Sequence, residues 1–244
     1  MRESLQAFTF IQCMFNPADT KKVFVIIPAY NETASINTVL EGLIPYGYSI
    51  VVVDDGSAES LLPVIREKKV HFLRHKVNLG QGAALQTGID YALGKNAEYV
   101  VTFDADGQHD AADVQLFIDR LEVCKKDIVM GSRFLSGSVH NMTVKRKFLL
   151  QVARFINFMF TGLLLSDAHN GLRVMTGLAA ARIQIKENRM AHASEFLSQI
   201  RKNKLLFTEA PSRIQYTDYS RAKGQTLWSS FRIFFDLLLN KIFR

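Results

Sequence analysis

Apolar residues fall in two rhythms along this chain. Val23–Tyr30, VFVIIPAY, is an unbroken apolar and β-branched run, as expected of a parallel strand covered on both faces. Ile36, Val39, Leu40 and Leu43 then recur at helical spacing, with Thr33 placed to cap the helix. Strand character returns at Ser49–Val53 and again at Val70–His75. Residues 78–84, NLGQGAA, lead into a helix that runs through Tyr91. A strand opens at Tyr99, a helix covers about 111–123, and a further strand spans Asp127–Met130. Residues 205–216 read as an extended segment returning to the sheet, with Pro211 at a break or an edge. This alternation predicts an α/β fold with a mostly parallel sheet flanked by helices.

Two later stretches carry a different pattern. Lys145–Leu165, KRKFLLQVARFINFMFTGLLL, places Lys147, Gln151, Arg154 and Thr161 on one helical stripe, with Asn157 beside it, opposite a wide apolar face. An arginine in mid-span costs roughly 3 kcal/mol or more in a bilayer core, so a helix lying on or dipping into a membrane fits better than a span. A helix buried against the sheet or a partner subunit has the same pattern. Leu227, Trp228, Phe231, Phe234, Phe235 and Leu238 repeat the theme near the end of the sequence. Residues 1–22 read as a loose leader broken at Asn16-Pro17, with little periodicity.

Polar chemistry collects where the strands end. Tyr30 and Glu32 follow the first strand, Asp54 and Asp55 the second, Asp104 and Asp106 the fourth, and Arg133 the fifth. In open α/β sheets ligands bind beyond the carboxyl ends of the strands. Any one of these clusters alone is an ordinary turn; four in register are a candidate site. Asp104 and Asp106, with Gln108 and His109 behind them, crowd negative charge that a cation would neutralise. Oxygen donors suit Mg2+ or Mn2+, which use one or two carboxylates together with substrate phosphates. An acidic surface turn is the plainer reading. Gly82 is small enough to admit a ligand to the start of a helix, or to let that helix pack closely on the sheet.

Bulk properties narrow the class. The 244 residues, 48% of them hydrophobic, suffice for one large domain with a buried core. The net charge of +7 divides into −4 over residues 1–139 and +11 over 140–244, which suggests anionic partners. Cys13 and Cys124 form no framework or metal spacing, and Met1–Met14 carries Glu3 without a clean apolar core, so a reduced, cytoplasmic chain is expected. Neither the dinucleotide G-x-G-x-x-G pattern nor a P-loop is present, which argues against a hydride-transfer cofactor and a P-loop phosphotransferase. No nucleic-acid-binding motif accompanies the basic half, so no nucleic-acid partner is expected.

Five ordered segments, VIIPAYNE, VVVDDGS, NLGQGAALQTGI, TFDADGQH and GSRF, resemble the family 2 glycosyltransferases of GT-A fold. DAHNGLRVMT at 167–176 and YSRAKGQ at 219–225 are similar to its polyprenyl-phosphate, dolichyl-phosphate mannosyltransferase-like branch. The resemblance implies a catalytic domain over 23–225, and the apolar pattern adds an interfacial helix at 145–165 inside it and a separate amphipathic helix at 226–244. It implies that Pro28, Tyr30 and Glu32 line the nucleotide base, that Asp54 and Asp55 lie near the base or ribose, and that Gly82 leaves room for the nucleotide. Asp104, Asp106 and Gln108 would hold Mg2+ or Mn2+. Arg133 would contact a phosphate, and Arg221 and Lys223 would belong to a basic loop closing over the donor.

The implied reaction moves a sugar, with inversion, from a nucleoside-diphosphate sugar to a polyprenyl phosphate at the cytoplasmic membrane face. The protein would attach peripherally or be recruited by a membrane partner protein, and a homodimer is a further candidate assembly. A phosphate acceptor needs no strong base. A hydroxyl acceptor on a lipid-linked or cell-surface glycan precursor would need a carboxylate, and Glu195 and Asp167 are the candidates. A third alternative is an inactive membrane-associated scaffold with the same fold.

Overall fold

A computed structural model describes residues 21–140, 154–155, 158–159, 161–168, 170–188 and 191–215. Residues 1–20 of the leader, residues 141–153, the closing-loop residues Arg221 and Lys223, and the tail at 226–244, expected as an amphipathic helix, lie outside the described residues.

The strands are β1 (Val23–Ala29), β2 (Ser49–Asp54), β3 (His71–Arg74), β4 (Tyr99–Thr102), β5 (Ile128–Ser132), β6 (Val139–His140), β7 (Arg173–Thr176), β8 (Phe207–Pro211) and β9 (Arg213–Ile214). The α-helices are α1 (Ile36–Leu43), α2 (Gln81–Gly94), α3 (Ala112–Cys124), α4 (Gly177–Ala180) and α5 (His192–Lys202). Seven strands form one sheet in the order β3-β2-β1-β4-β7-β5-β8, and β6 pairs with β9 in a small second sheet. β1 lies parallel to β2 and β4, and β5 parallel to β8. β7 runs antiparallel between β4 and β5.

Alternation along each strand sorts its side chains onto two faces. Phe24 and Ile26 of β1 pack with Leu85 and Ile89 of α2 and Phe196 and Ile200 of α5. Val23, Val25 and Ile27 pack with Val39 and Leu40 of α1 and Phe117 and Ile118 of α3. Both faces of the central strands are therefore buried, which is why they read as continuous apolar runs. Full burial of one such side chain stabilises the fold by roughly 1.5–3 kcal/mol. Helix α2 comes close to β1 because position 88 is glycine: a Cβ there would lie 2.3 Å from Ile26 Cγ2.

Two local features differ from the pattern-based expectation, and a third agrees with it. Helix α1 starts at Ile36, and Thr33 lies in the turn before it; Ser35 instead donates its hydroxyl to Glu32. Strand β7 (Arg173–Thr176) falls on RVMT, where an arginine interrupts the apolar run. The segment at 205–216 does return to the sheet, as β8 on its edge, with Pro211 as the last strand residue.

The site's position follows from one proline. Ile26 O accepts from Phe103 N, and Ala29 O accepts from Asp55 N, so even-numbered β1 residues face β4 and odd-numbered ones face β2. Pro28 thus faces β4 and has no N–H to extend that ladder. β4 parts from β1 after Phe103, and the chain turns at Asp104.

Candidate active site

The loops after β1 and β2 are laced together. Asn31, in a left-handed conformation with φ 57°, donates its N–H to Ser57 Oγ, and its side-chain oxygen accepts from Ala58 N. Asp54 is fully buried and accepts from Ser57 N and Leu61 N, folding the 55–61 loop around its carboxylate. Asp55 accepts from Leu79 N at 3.0 Å and Gly80 N at 2.7 Å, and meets His75 Nδ1 at 2.7 Å. His75 Nε2 in turn lies 2.9 Å from Thr87 Oγ1 of α2. Both aspartates thus organise the loops that follow β2 and β3. Tyr30 is exposed at the rim, while Pro28 and Glu32 are buried beside it.

The Asp104–Asp106 turn sits centrally, at the end of β4. Asp104 Oδ1 accepts from Gln81 Nε2, and Asp104 Oδ2 lies 3.2 Å from His109 Nε2. Burial acts to raise the Asp104 carboxyl, but the His109 hydrogen bond and the electrostatic pull of His109, Arg173 and His192 outweigh it and hold the group below the usual carboxylate range. Asp106 shows the opposite balance. Burial, and then the neighbouring Asp104 charge, push its carboxyl above that range. Gln108 donates to it twice, from its backbone N–H and from its side-chain amide. That leaves the Gln108 carboxamide oxygen as a further lone-pair donor.

Among the described residues no three His, Cys, Asp or Glu side chains form a ready-made metal cage. Mg2+ and Mn2+ do not need one where a substrate diphosphate completes the shell. Two like-charged carboxylates and a carboxamide, one carboxylate pushed up by the other, match the donor chemistry of such an ion.

A bracket formed by 166–173 holds this turn from behind. Thr102 Oγ1 donates to Gly171 O at 2.7 Å, and a Cβ at position 171 would stand 1.9 Å from Asp104 Oδ2. Gly171→Ala is therefore expected to displace Asp104 and to cut transfer about 100-fold, the scale of a 1 Å misplacement, in kcat measured beside a thermal melt. Glu209 of β8 accepts from Ser166 N, Ser166 Oγ and Asp167 N. Asp167 receives Arg133 through Nε, through Nη2 at 2.7 Å, and through the backbone N–H at 3.1 Å. Asn170 donates to Ser212 Oγ, which ties the bracket to the chain after β8. Arg173 is buried, stacks its guanidinium 4.3 Å from the Phe196 ring centroid, and is lowered to about 10 by burial against the opposing pull of Asp104 and Asp167.

Two other candidate residues occupy supporting positions. Glu195, in the first turn of α5, accepts from Lys186 N and Glu187 N through Oε2. The loop it holds passes over Gly82, whose N–H donates to Asn188 O, and a Cβ at 82 would lie 2.0 Å from Glu187 O. The chain itself thus fills the space next to Gly82. Arg213 is clasped by Asp110 and Asp113, and Gln215 N donates to Gln108 O, so the last described residues run beside the Asp106 turn.

Pattern reading assigned no role to His109, Arg173, Glu209 or Gln81. For Arg173 and Glu209 a signal existed: each is a charged residue inside a short strand, which requires a buried partner. For His109 and Gln81 none did, because their partner Asp104 is fixed only by the fold.

Comparison with other proteins identifies the arrangement. Over 243 residues the chain is 33% identical to a UDP-N-acetylglucosamine–dolichyl-phosphate N-acetylglucosaminyltransferase of Methanococcus voltae, covering 91% of this chain and 97% of the relative. It is 29% identical to the polyprenol monophosphomannose synthase of Mycolicibacterium smegmatis, over 63% of this chain and 61% of that one. Glucosyl-3-phosphoglycerate synthase of Mycobacterium tuberculosis, crystallised with Mn2+, uridine diphosphate and glucosyl-3-phosphoglycerate, shares the fold with a TM-score of 0.66 at 14% identity, over 90% of this chain and 78% of that one. Residues 24–214, which hold every loop and bracket described above, match the profile of glycosyl transferase family 2. The strand-end acidic turn thus belongs to a sugar-transfer scaffold, and the chain is a member of glycosyl transferase family 2, similar to its polyprenyl-phosphate branch.

Proposed function

We propose that this enzyme transfers a sugar from a nucleoside-diphosphate sugar to a polyprenyl phosphate at the cytoplasmic face of a membrane, with inversion and dependence on Mg2+ or Mn2+. The observation that carries the choice of acceptor is the engagement of both candidate bases. Asp167 is 1% exposed and locked to Arg133, and Glu195 Oε2 holds two backbone N–H groups. A sugar hydroxyl would need such a carboxylate to take its proton. A phosphate monoester is already ionised near neutral pH and needs none. The dolichyl-phosphate and polyprenol names of the relatives favour the same acceptor.

In this reading Pro28, Tyr30 and Glu32 line the base, and Asp54 and Asp55 shape the ribose side through their loops. Asp104, Asp106 and Gln108 would hold the divalent cation, which would supply positive charge for the departing diphosphate. Arg133 adds positive charge with its fork fixed by Asp167. Arg221 and Lys223, outside the described residues, add more from the closing loop. An acceptor phosphate oxygen bonds to the anomeric carbon as that carbon's bond to the diphosphate oxygen breaks, and the nucleoside diphosphate leaves.

Attachment to the membrane is peripheral in this proposal. Residues 154–155, 158–159 and 161 are helical, and Phe155, Phe158, Met159 and nearby Leu164 are exposed, whereas Thr161 and Leu165 are buried. Aromatic and apolar groups on one side of a basic stretch suit a bilayer interface. Among the described residues no helix is long and apolar enough to cross a membrane.

The test is transfer of radiolabel from a panel of nucleotide sugars to undecaprenyl and dolichyl phosphates in detergent, with Mn2+ or EDTA. Labelled lipid that appears with Mn2+ and vanishes with EDTA is the expected result. Transfer to a glycan hydroxyl with no lipid product would move the acceptor, and failure to bind any nucleotide sugar would leave a scaffold.

A further inference from the structure

His109 is a buried side chain with a single polar anchor. Its ring is 4% exposed, its Nε2 lies 3.2 Å from Asp104 Oδ2, and its Nδ1 is buried with no partner among the described residues. The edge of Phe103 packs on it, with ring centroids 5.4 Å apart. It also lines a cavity of about 100 Å3 with Thr38, Val39, Gly42 and Gly107. A histidine that served only to fill the core would have both nitrogens satisfied, or would be replaced by an apolar side chain without loss. Here the ring is fixed by packing, and one polar contact points at a candidate metal ligand.

We propose that His109 is a positioning residue for Asp104: its Nε2–H holds Asp104 Oδ2 and so fixes which carboxylate oxygen is presented to the metal. The proposal rests on the metal-dependent reading above. An ionised carboxylate can only accept, so Nε2 carries the hydrogen in either charge state of the ring. Gln81 holds the other Asp104 oxygen from α2, so the two donors grip the carboxylate from opposite elements. Residues that orient a metal ligand in this way typically contribute about 10- to 100-fold to metal affinity.

The test compares His109→Gln, His109→Asn and His109→Leu in the full chain. Glutamine places an amide N–H near the position of Nε2, asparagine falls short of it, and leucine supplies bulk without a donor. Mn2+ binding is read by electron paramagnetic resonance with uridine or guanosine diphosphate present, beside a thermal melt of each variant. The parent and His109→Gln are expected to bind within about threefold of one another, while His109→Asn and His109→Leu weaken about tenfold or more at melting temperatures that do not follow that order. Equal binding by all four proteins would overturn the proposal and leave the metal site intact. Equal loss in all three variants would make His109 a packing residue only. A parent that binds no Mn2+ with either nucleotide would remove the metal reading and this proposal together. Imidazole nitrogen NMR of the metal-free parent adds an independent check: a bare Nε2 would overturn the donor assignment.

Discussion

Asp106→Asn is expected to lower transfer by about three orders of magnitude, or about 4 kcal/mol of transition-state stabilisation, while the metal-free protein stays at least as stable as the parent. The two halves of that result have separate causes. Activity falls because a neutral amide is a poor ligand for a hard cation. Stability is preserved because the folded state gains nothing from the lost charge: burial and the Asp104 carboxylate both disfavour an ionised Asp106. Asp104→Asn, the same chemical change two residues earlier, should act oppositely on stability. Asp104 faces Gln81, His109 and the fields of Arg173 and His192, and its loss removes one of the two carboxylates that oppose the buried Arg173 charge. Removing one member of a buried charge pair costs about 3–5 kcal/mol. At about 2–4 °C per kcal/mol for a chain of this size, a fall in Tm of about 10 °C is expected for Asp104→Asn and none for Asp106→Asn, in melts run with EDTA. Equal melting temperatures for the two variants would show that the asymmetry around the pair is absent.

The asymmetry marks the limit of what the sequence discloses. Strands β1, β2 and β4 were legible because both faces of each are buried, which writes a continuous apolar run. The strand-end clusters were legible because a parallel sheet places its ligand side at one edge. Strand β7 was not, because its buried arginine breaks the apolar pattern and meets Asp104, Asp167 and the Phe196 ring, contacts that the fold rather than the local pattern supplies. Gly82 shows the same limit. Its smallness was visible, but the Glu187 carbonyl that occupies the adjacent space is delivered by a loop about a hundred residues later. Glu195 was legible as a helix residue, and its backbone partners at 186 and 187 were not.

The Arg133–Asp167 pair tests the division between groups that hold the site and groups that act in it. Asp167→Ala leaves Arg133, itself nearly buried, without its two-pronged partner, and weakens the counter-charge felt by Arg173. A loss of about 3–5 kcal/mol is expected, seen as a fall in Tm of about 10 °C or more. Arg133→Ala should cost a similar amount, since the buried Asp167 carboxylate then loses the hydrogen bonds from the Arg133 side chain. The double variant should be destabilised by less than the sum, because each single change already breaks the same contact, and the shortfall measures the coupling. Activity separates the roles. If Asp167 acts only through Arg133, then its alanine variant, assayed well below its own melting temperature, should lose no more activity than Arg133→Ala, and the double variant should lose little beyond either. If Asp167 instead took a proton from a hydroxyl acceptor, Asp167→Ala would lose far more than Arg133→Ala at that temperature, and raising the assay pH would restore part of the rate by ionising the acceptor directly. The second pattern would overturn the phosphate acceptor, because a base at Asp167 has no task when the acceptor arrives already ionised.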